Sequence, residues 1–229
     1  MIKDNIGKIK EHIVSLCASG GRNPEDITIV AISKGRTVEA IREVVEAGIR
    51  DIGENRAQET LLKYYAVKEM KIGVVRWHMV GHLQTNKVKD AVNVFDLIHS
   101  VDSLHLAQEI DKQAAKINKM QELLVEVKTS PEESKSGLSA RAAVNVINEI
   151  VKLKNIRIKG LMTIAPAVDD TEKARIYFEE LREFRDKINS FHLESCDMSF
   201  LSMGMTDDYE AAIEEGSNML RLGRVIFNE

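Results

Sequence analysis

The sequence predicts a single closed (β/α)8 barrel of the TIM type with an extra helix at its N-terminus, and three observations carry that expectation. Short β-branched runs alternate with longer helical patterns from the first third of the chain to its end, the mark of parallel βαβ units. Eight such runs can be counted, which suits a closed barrel better than an open doubly wound sheet. The chain has 229 residues, a length at which α/β barrels remain undivided, and no Ser/Gly/Pro-rich linker or composition shift breaks it. One domain over residues 1–229 is therefore expected.

The opening segment, MIKDNIGKIKEHIVSL, carries charges throughout and reads as an amphipathic helix rather than a signal peptide. The first strand is expected at Ile27 to Ile32, followed by a helix whose apolar face is Val38, Ile41, Val44 and Val45. Strands at Ile49 to Ile52, Trp77 to Val80, Leu97 to Val101 and Leu123 to Val127 follow, each ending in polar or Gly residues. The segment GLSARAAVNVINEI reads as a helix with Ser139 as its N-cap and a stripe of Ala143, Val144, Ile147, Ile150 and Val151. A sixth strand at Ile158 to Met162 precedes EELREFRDK, the solvated face of a helix. The last two strands are expected at Met198 to Ser202 and Met219 to Leu222.

Composition narrows the functions. Hydrophobic residues at 44% and charged residues at 30%, with only 3 Pro, describe a compact globular protein. With 32 basic against 36 acidic residues the net charge is -4, so no general cationic surface exists to attract nucleic acid or anionic lipid. Nothing approaches a membrane span in length. The 2 cysteines, Cys17 and Cys196, show no CxxC spacing and suit a reducing compartment as small buried hydrophobes, so the cytoplasm is the expected location. A monomer is the expected assembly.

In such a barrel the chemistry is built where strands end, so each exit supplies candidates. These are Ser33 and Lys34, Glu54 and Asn55, His82, Ser100 and Asp102, Lys128, Thr163, then Ser202, Met203 and Gly204, and finally Gly223 and Arg224, with Arg221 inside the last strand. Lys34 directly follows ITIVAIS, which is expected to seat its amine over apolar walls away from bulk water. Desolvation and a neighbouring Arg221 or Lys128 then favour a neutral amine able to attack an aldehyde. The segments SMGMTDD and RLGR close the seventh and eighth units, where barrels commonly bind phosphate. Ser202 offers a hydroxyl, Gly204 and Gly223 allow close backbone approach, Arg224 adds charge, and a helix beginning near Thr206 presents amide donors. His78 and His82 flank a strand end, where extended geometry puts them roughly 13 Å apart, too far for one metal ion.

Long ordered motifs then carry a resemblance: AISK at Ala31 to Lys34, GEN at Gly53 to Asn55, HMVGHLQTNK at His78 to Lys87, HSVD at His99 to Asp102, SKSG at Ser134 to Gly137, GLM at Gly160 to Met162, LSMGMTDDYEAAI at Leu201 to Ile213 and GSNMLRLG at Gly216 to Gly223. With these the chain resembles the pyridoxal phosphate homeostasis protein family, related to the barrel domain of alanine racemase. The resemblance implies pyridoxal 5'-phosphate (PLP) as cofactor, bound covalently by Lys34 and lined by Asn55. It also implies that Ser202 and the amides around Gly223 and Arg224 hold the phosphate, that Met203 belongs to the same cofactor site, and that Arg221 faces the pyridine nitrogen. Where the family often has small hydroxyl residues, this chain has Gly35 and Arg224. Arg224 therefore either supplies an ion pair or uses its backbone amide and points outward.

A cationic Arg221 opposite the ring nitrogen weakens PLP as an electron sink. In alanine racemase the second base comes from an additional C-terminal β-domain, and this sequence runs to Glu229, so that domain is expected to be absent. The expected function is accordingly non-enzymatic: storage, buffering or delivery of PLP, with apo-enzymes that require it as candidate recipients. An amino-acid racemase is the alternative. So is a barrel enzyme whose Lys34 forms a Schiff base with a phosphorylated substrate.

Overall fold

The structure, a computed structural model, describes residues 1–130, 136–166 and 171–227. Eight parallel strands close in sequence order, β1 Thr28–Ile32, β2 Asp51–Glu54, β3 Arg76–Met79, β4 Leu97–Val101, β5 Gln121–Glu126, β6 Ile156–Met162, β7 Cys196–Ser202 and β8 Met219–Leu222. Closure pairs β1 with β8, with Val30 beside Arg221 and Ala31 beside Leu222. The extra helix, α1 Ile2–Ser19, buries Ile6, Ile9, Ile13 and Cys17 on one face. It packs against α2 Val38–Glu46 and against the short helices α8 Tyr209–Glu214 and α9 Arg224–Phe227. The remaining ring is α3 Ala57–Glu69, α4 Val88–Val94, α5 Leu104–Lys116, α6 Ala140–Ile150 and α7 Arg175–Asn189.

Capping follows local chemistry. Thr37 accepts from Ala40 N–H, Ser103 from Leu106 N–H, and Ser139 from Ala142 N–H, as the sequence led one to expect for Ser139. The second strand starts two residues later than expected. Gly48, at φ 85°, turns the chain out of α2, and Ile49 N–H returns to Val44 O, so Ile49 closes the helix rather than opening the strand. Likewise α8 begins at Tyr209, not near Thr206, because Asp208 Oδ1 first accepts from Met205 N–H at 2.6 Å and holds the preceding turn.

Two apolar layers result. One lies between strands and helices and is anchored by Trp77, Phe95 and Phe178. The other fills the barrel itself with Val30, Leu97, Leu124, Met162 and Met219, with Ile32 and Phe200 against them. Since side chains alternate across a strand, this inner layer fixes which residues point inward.

Candidate active site at the barrel mouth

Along β1 the inward row runs Val30, Ile32 and then Lys34, so the lysine stands at the mouth on top of the apolar inner layer. The turn that carries it is held from the outside. Ser33 Oγ donates to Glu54 Oε1 at 2.6 Å, and Lys63 Nζ donates to Ser33 O at 2.6 Å and pairs with the same Glu54 carboxylate. Gly35, at φ 71°, then swings the chain away toward α2. The apolar enclosure expected for Lys34 is not found: its side chain is exposed, because the turn lifts it above the strand end. It borders a cavity of about 500 Å3 with Asn55, Arg56, His82, Gln84 and Lys87.

The β7–β8 side of the mouth is separate from that cavity. Arg221 is 5% exposed and points into the barrel, where its guanidinium donates to Ser202 O at 2.7 Å, Ser202 Oγ at 2.8 Å and Thr163 O at 2.8 Å. Burial pulls its pKa down to about 10, against the opposing pull of Asp208 and Glu126, so it remains a cation at neutral pH. The Ser202 side chain faces the same interior. Met203 alternates outward into the outer core, leaving only its backbone for the mouth. Gly223 lies level with Ile32, where a Cβ would make only ordinary contact at 3.6 Å. The Arg224 side chain is exposed and paired with Asp207, which settles its direction as outward.

Lys34 and Asn55 thus share one cavity, and strand pairing sets β8, which carries Arg221 and leads into Gly223, directly beside β1. Ser134 and Lys135 of the SKSG motif lie outside the described residues. Two features escaped the sequence reading. Glu126 ends β5 on the inward row after Leu124, 3% exposed, and burial with the nearby Asp102 charge raises its carboxyl to about 7 although Arg221 opposes the rise. Deeper in, Asp51, His78 and His99 are buried and linked to one another. The signal was a histidine among apolar residues in short strands, as in WHM and LIHSV, but alternation marks a face only when register is known. His82 parts from His78 and sits exposed at the mouth, 3.4 Å from Asp102.

A second cleft of about 440 Å3 opens on the opposite, N-terminal face around Lys10, Arg50 and Arg76. In this fold reactions occur at the other end.

Fold and site together define a closed parallel barrel with an amine at one strand exit and a buried guanidinium on the adjoining strand. The model for the alanine racemase N-terminal domain matches residues 4–229. The pyridoxal phosphate homeostasis protein of Aquifex aeolicus is 38% identical over 226 residues, covering 99% of this chain and 97% of that one. PipY of Synechococcus elongatus, solved with PLP bound, superposes with a TM-score of 0.87 at 30% identity, covering 100% of both chains. Alanine racemase of Clostridium difficile shares the fold with a TM-score of 0.77 at 18% identity, covering 99% of this chain and 60% of the other. The chain belongs to the pyridoxal phosphate homeostasis protein family.

Proposed function

We propose that this protein binds PLP as a Schiff base on Lys34 and stores, buffers or delivers it. The observation that carries the reading is the pairing of β1 with β8, which sets the Lys34 exit beside the strand bearing buried Arg221 and beside the glycine turn that follows. These residues fit the group: an amine for the aldehyde, a guanidinium for the ring nitrogen, and the turns at Ser202, Met203, Gly223 and Arg224 for the phosphate. Asn55 lines the approach. PLP, when bound, supplies an aldehyde that accepts amines. The chain's own contribution is to hold that aldehyde at Lys34 and to keep a fixed positive charge at Arg221. A fixed cation there opposes protonation of the ring nitrogen, which supports a carrier over a catalyst. PLP-bound PipY and the family name support the same reading. Among the described residues no helix is long and apolar enough to cross a membrane. In this reading the protein works in the cytoplasm as a monomer, with apo-enzymes that require PLP as recipients.

The test is to add PLP, reduce with borohydride and map the modified peptide. A yellow protein with its adduct on Lys34 is expected; a colourless protein, or an adduct on another lysine, overturns the reading. One observation favours a second reading, amino-acid racemisation: Glu126 titrates at about 7 on the inward face of the mouth, where a proton acceptor works best at neutral pH. Racemisation of alanine that disappears in both Lys34→Ala and Glu126→Gln establishes that alternative.

A further inference from the structure

A line of polar side chains crosses the barrel interior from its N-terminal face to the cofactor seat. Arg76 Nη2 donates to Asp51, 2.8 Å from Oδ1. Asp51 Oδ1 lies 2.9 Å from His78 Nε2, His78 Nδ1 lies 2.9 Å from His99 Nε2, and His99 Nδ1 lies 2.9 Å from Ser202 Oγ. Ser202 Oγ in turn receives Arg221 Nη1 at 2.8 Å. Apart from Arg76 at the outer end, every member is buried.

Donors and acceptors give the chain one direction. Burial pushes the Asp51 carboxyl up, but hydrogen bonds from His78 and Arg76 outweigh it and hold the group below its ordinary value, so Asp51 only accepts. His78 Nε2 must therefore carry a proton. Arg76 also donates to Asp51, so the carboxylate has its counter-charge at the outer end, and in the relay His78 Nδ1 accepts from His99 Nε2–H. Burial above all holds His99 well below its ordinary pKa, so the ring keeps one proton; with that proton on Nε2 and given to His78, its Nδ1 is an acceptor too. Its donor is the Ser202 hydroxyl. Arg221 is a donor only, so the serine oxygen accepts from it.

We infer that Asp51, His78 and His99 are positioning residues that commit the Ser202 hydroxyl proton to His99, so that the serine oxygen pins Arg221 rather than donating to a phosphate. The relay rests on the cofactor reading only for its consequence at the ring; its geometry belongs to the protein alone. The Ser202 side chain then governs ring electronics, and phosphate binding at this corner falls to backbone amides.

Two measurements test this. In cofactor-free protein with 15N-labelled histidine, long-range nitrogen–proton correlations at pH 7.5 should show both His78 and His99 as neutral Nε2–H tautomers. An Nδ1–H tautomer or a doubly protonated ring at either position overturns the relay. In PLP-loaded protein, Ser202→Ala and His99→Leu should displace the absorption band of the bound cofactor in the same direction. His99→Asn keeps an acceptor for the serine and should restore the wild-type band. His78→Leu should retain PLP within about fivefold of wild type, the reach of one neutral hydrogen bond, yet also move the band. A folded His99→Leu with the wild-type band, or a His99→Asn no better than His99→Leu, overturns it. Wild type that takes up no PLP refutes the cofactor reading instead, and the tautomers alone then decide the relay.

Discussion

Lys34 is exposed, so its position depends on the backbone beneath it, and that backbone is gripped by Ser33, Glu54 and Lys63. Glu54 is fully buried, and one of its oxygens, Oε2, has no hydrogen-bond partner. Such a carboxylate is tolerable only while Lys63 neutralises it. Glu54→Gln leaves the Lys63 ammonium without its counter-charge and should cost about 3 kcal/mol, read as a lower urea midpoint. It should also slow PLP capture, because the turn beneath Lys34 loosens; an unchanged midpoint and capture rate would refute the clamp. Arg221→Lys tests the other pole. Lysine keeps the charge but cannot reach Thr163 O and Ser202 together as the planar fork does, so the fold should lose about 2 kcal/mol for the stranded acceptors. Equal urea midpoints for the two proteins would show that the fork is not what holds the charge in place.

At the scale of elements, the tightest constraint is where β6 meets β7. Gly160 sits at φ 151°, and a Cβ there would fall 1.9 Å from the carbonyl oxygen of Phe200. The neighbour is backbone in a closed barrel, so it cannot yield locally. Gly160→Ala should cost about 4 kcal/mol or prevent folding, measured by urea denaturation or by soluble yield, whereas Gly7→Ala on α1, with open space around it, should not destabilise. Sequence alone showed every strand to within two residues of its observed ends, because β-branched runs between polar exits are a strong local signal. The mistakes have local causes: Ile49 is apolar in order to close α2, and Cys196 and Asp197 extend β7 beyond its apolar stretch. The places of Lys34 just past β1 and of Arg221 within β8 were legible because both strands are marked by local apolar runs. Asp51, His78 and His99 were not, because their partnership exists only once separate strands come into register. Neither was Glu126, whose inward direction depends on Leu124 facing the barrel centre.

For the whole molecule, the buried groups of the barrel set how stability depends on pH, and two of them act in opposite directions. Glu126 rises from 4.5 to about 7 on folding, so the folded state binds the proton more tightly. Its stabilisation is complete below about pH 4.5 and is lost as pH rises toward 7. His99 is displaced downward, so the unfolded chain binds a proton that the fold refuses. Its contribution is complete above its ordinary value of 6.5 and is lost as pH falls below it. As pH falls from 6.5 the two slopes oppose each other, Glu126 regaining stability while His99 loses it. Above pH 6.5 only Glu126 still costs stability. Glu126→Gln removes the ionisation while keeping the shape, so it should be nearly neutral at pH 4.5 and stabilising at pH 8. The gain at pH 8 has an upper limit of about 3 kcal/mol, the linkage value of the shift, with relaxation around the charge and the lost attraction to Arg221 reducing it. Urea denaturation of both proteins across this range measures the difference curve. If the curve stays flat, Glu126 keeps its ordinary pKa in the fold, and both its neutral state at the mouth and its candidacy as a proton acceptor fall together.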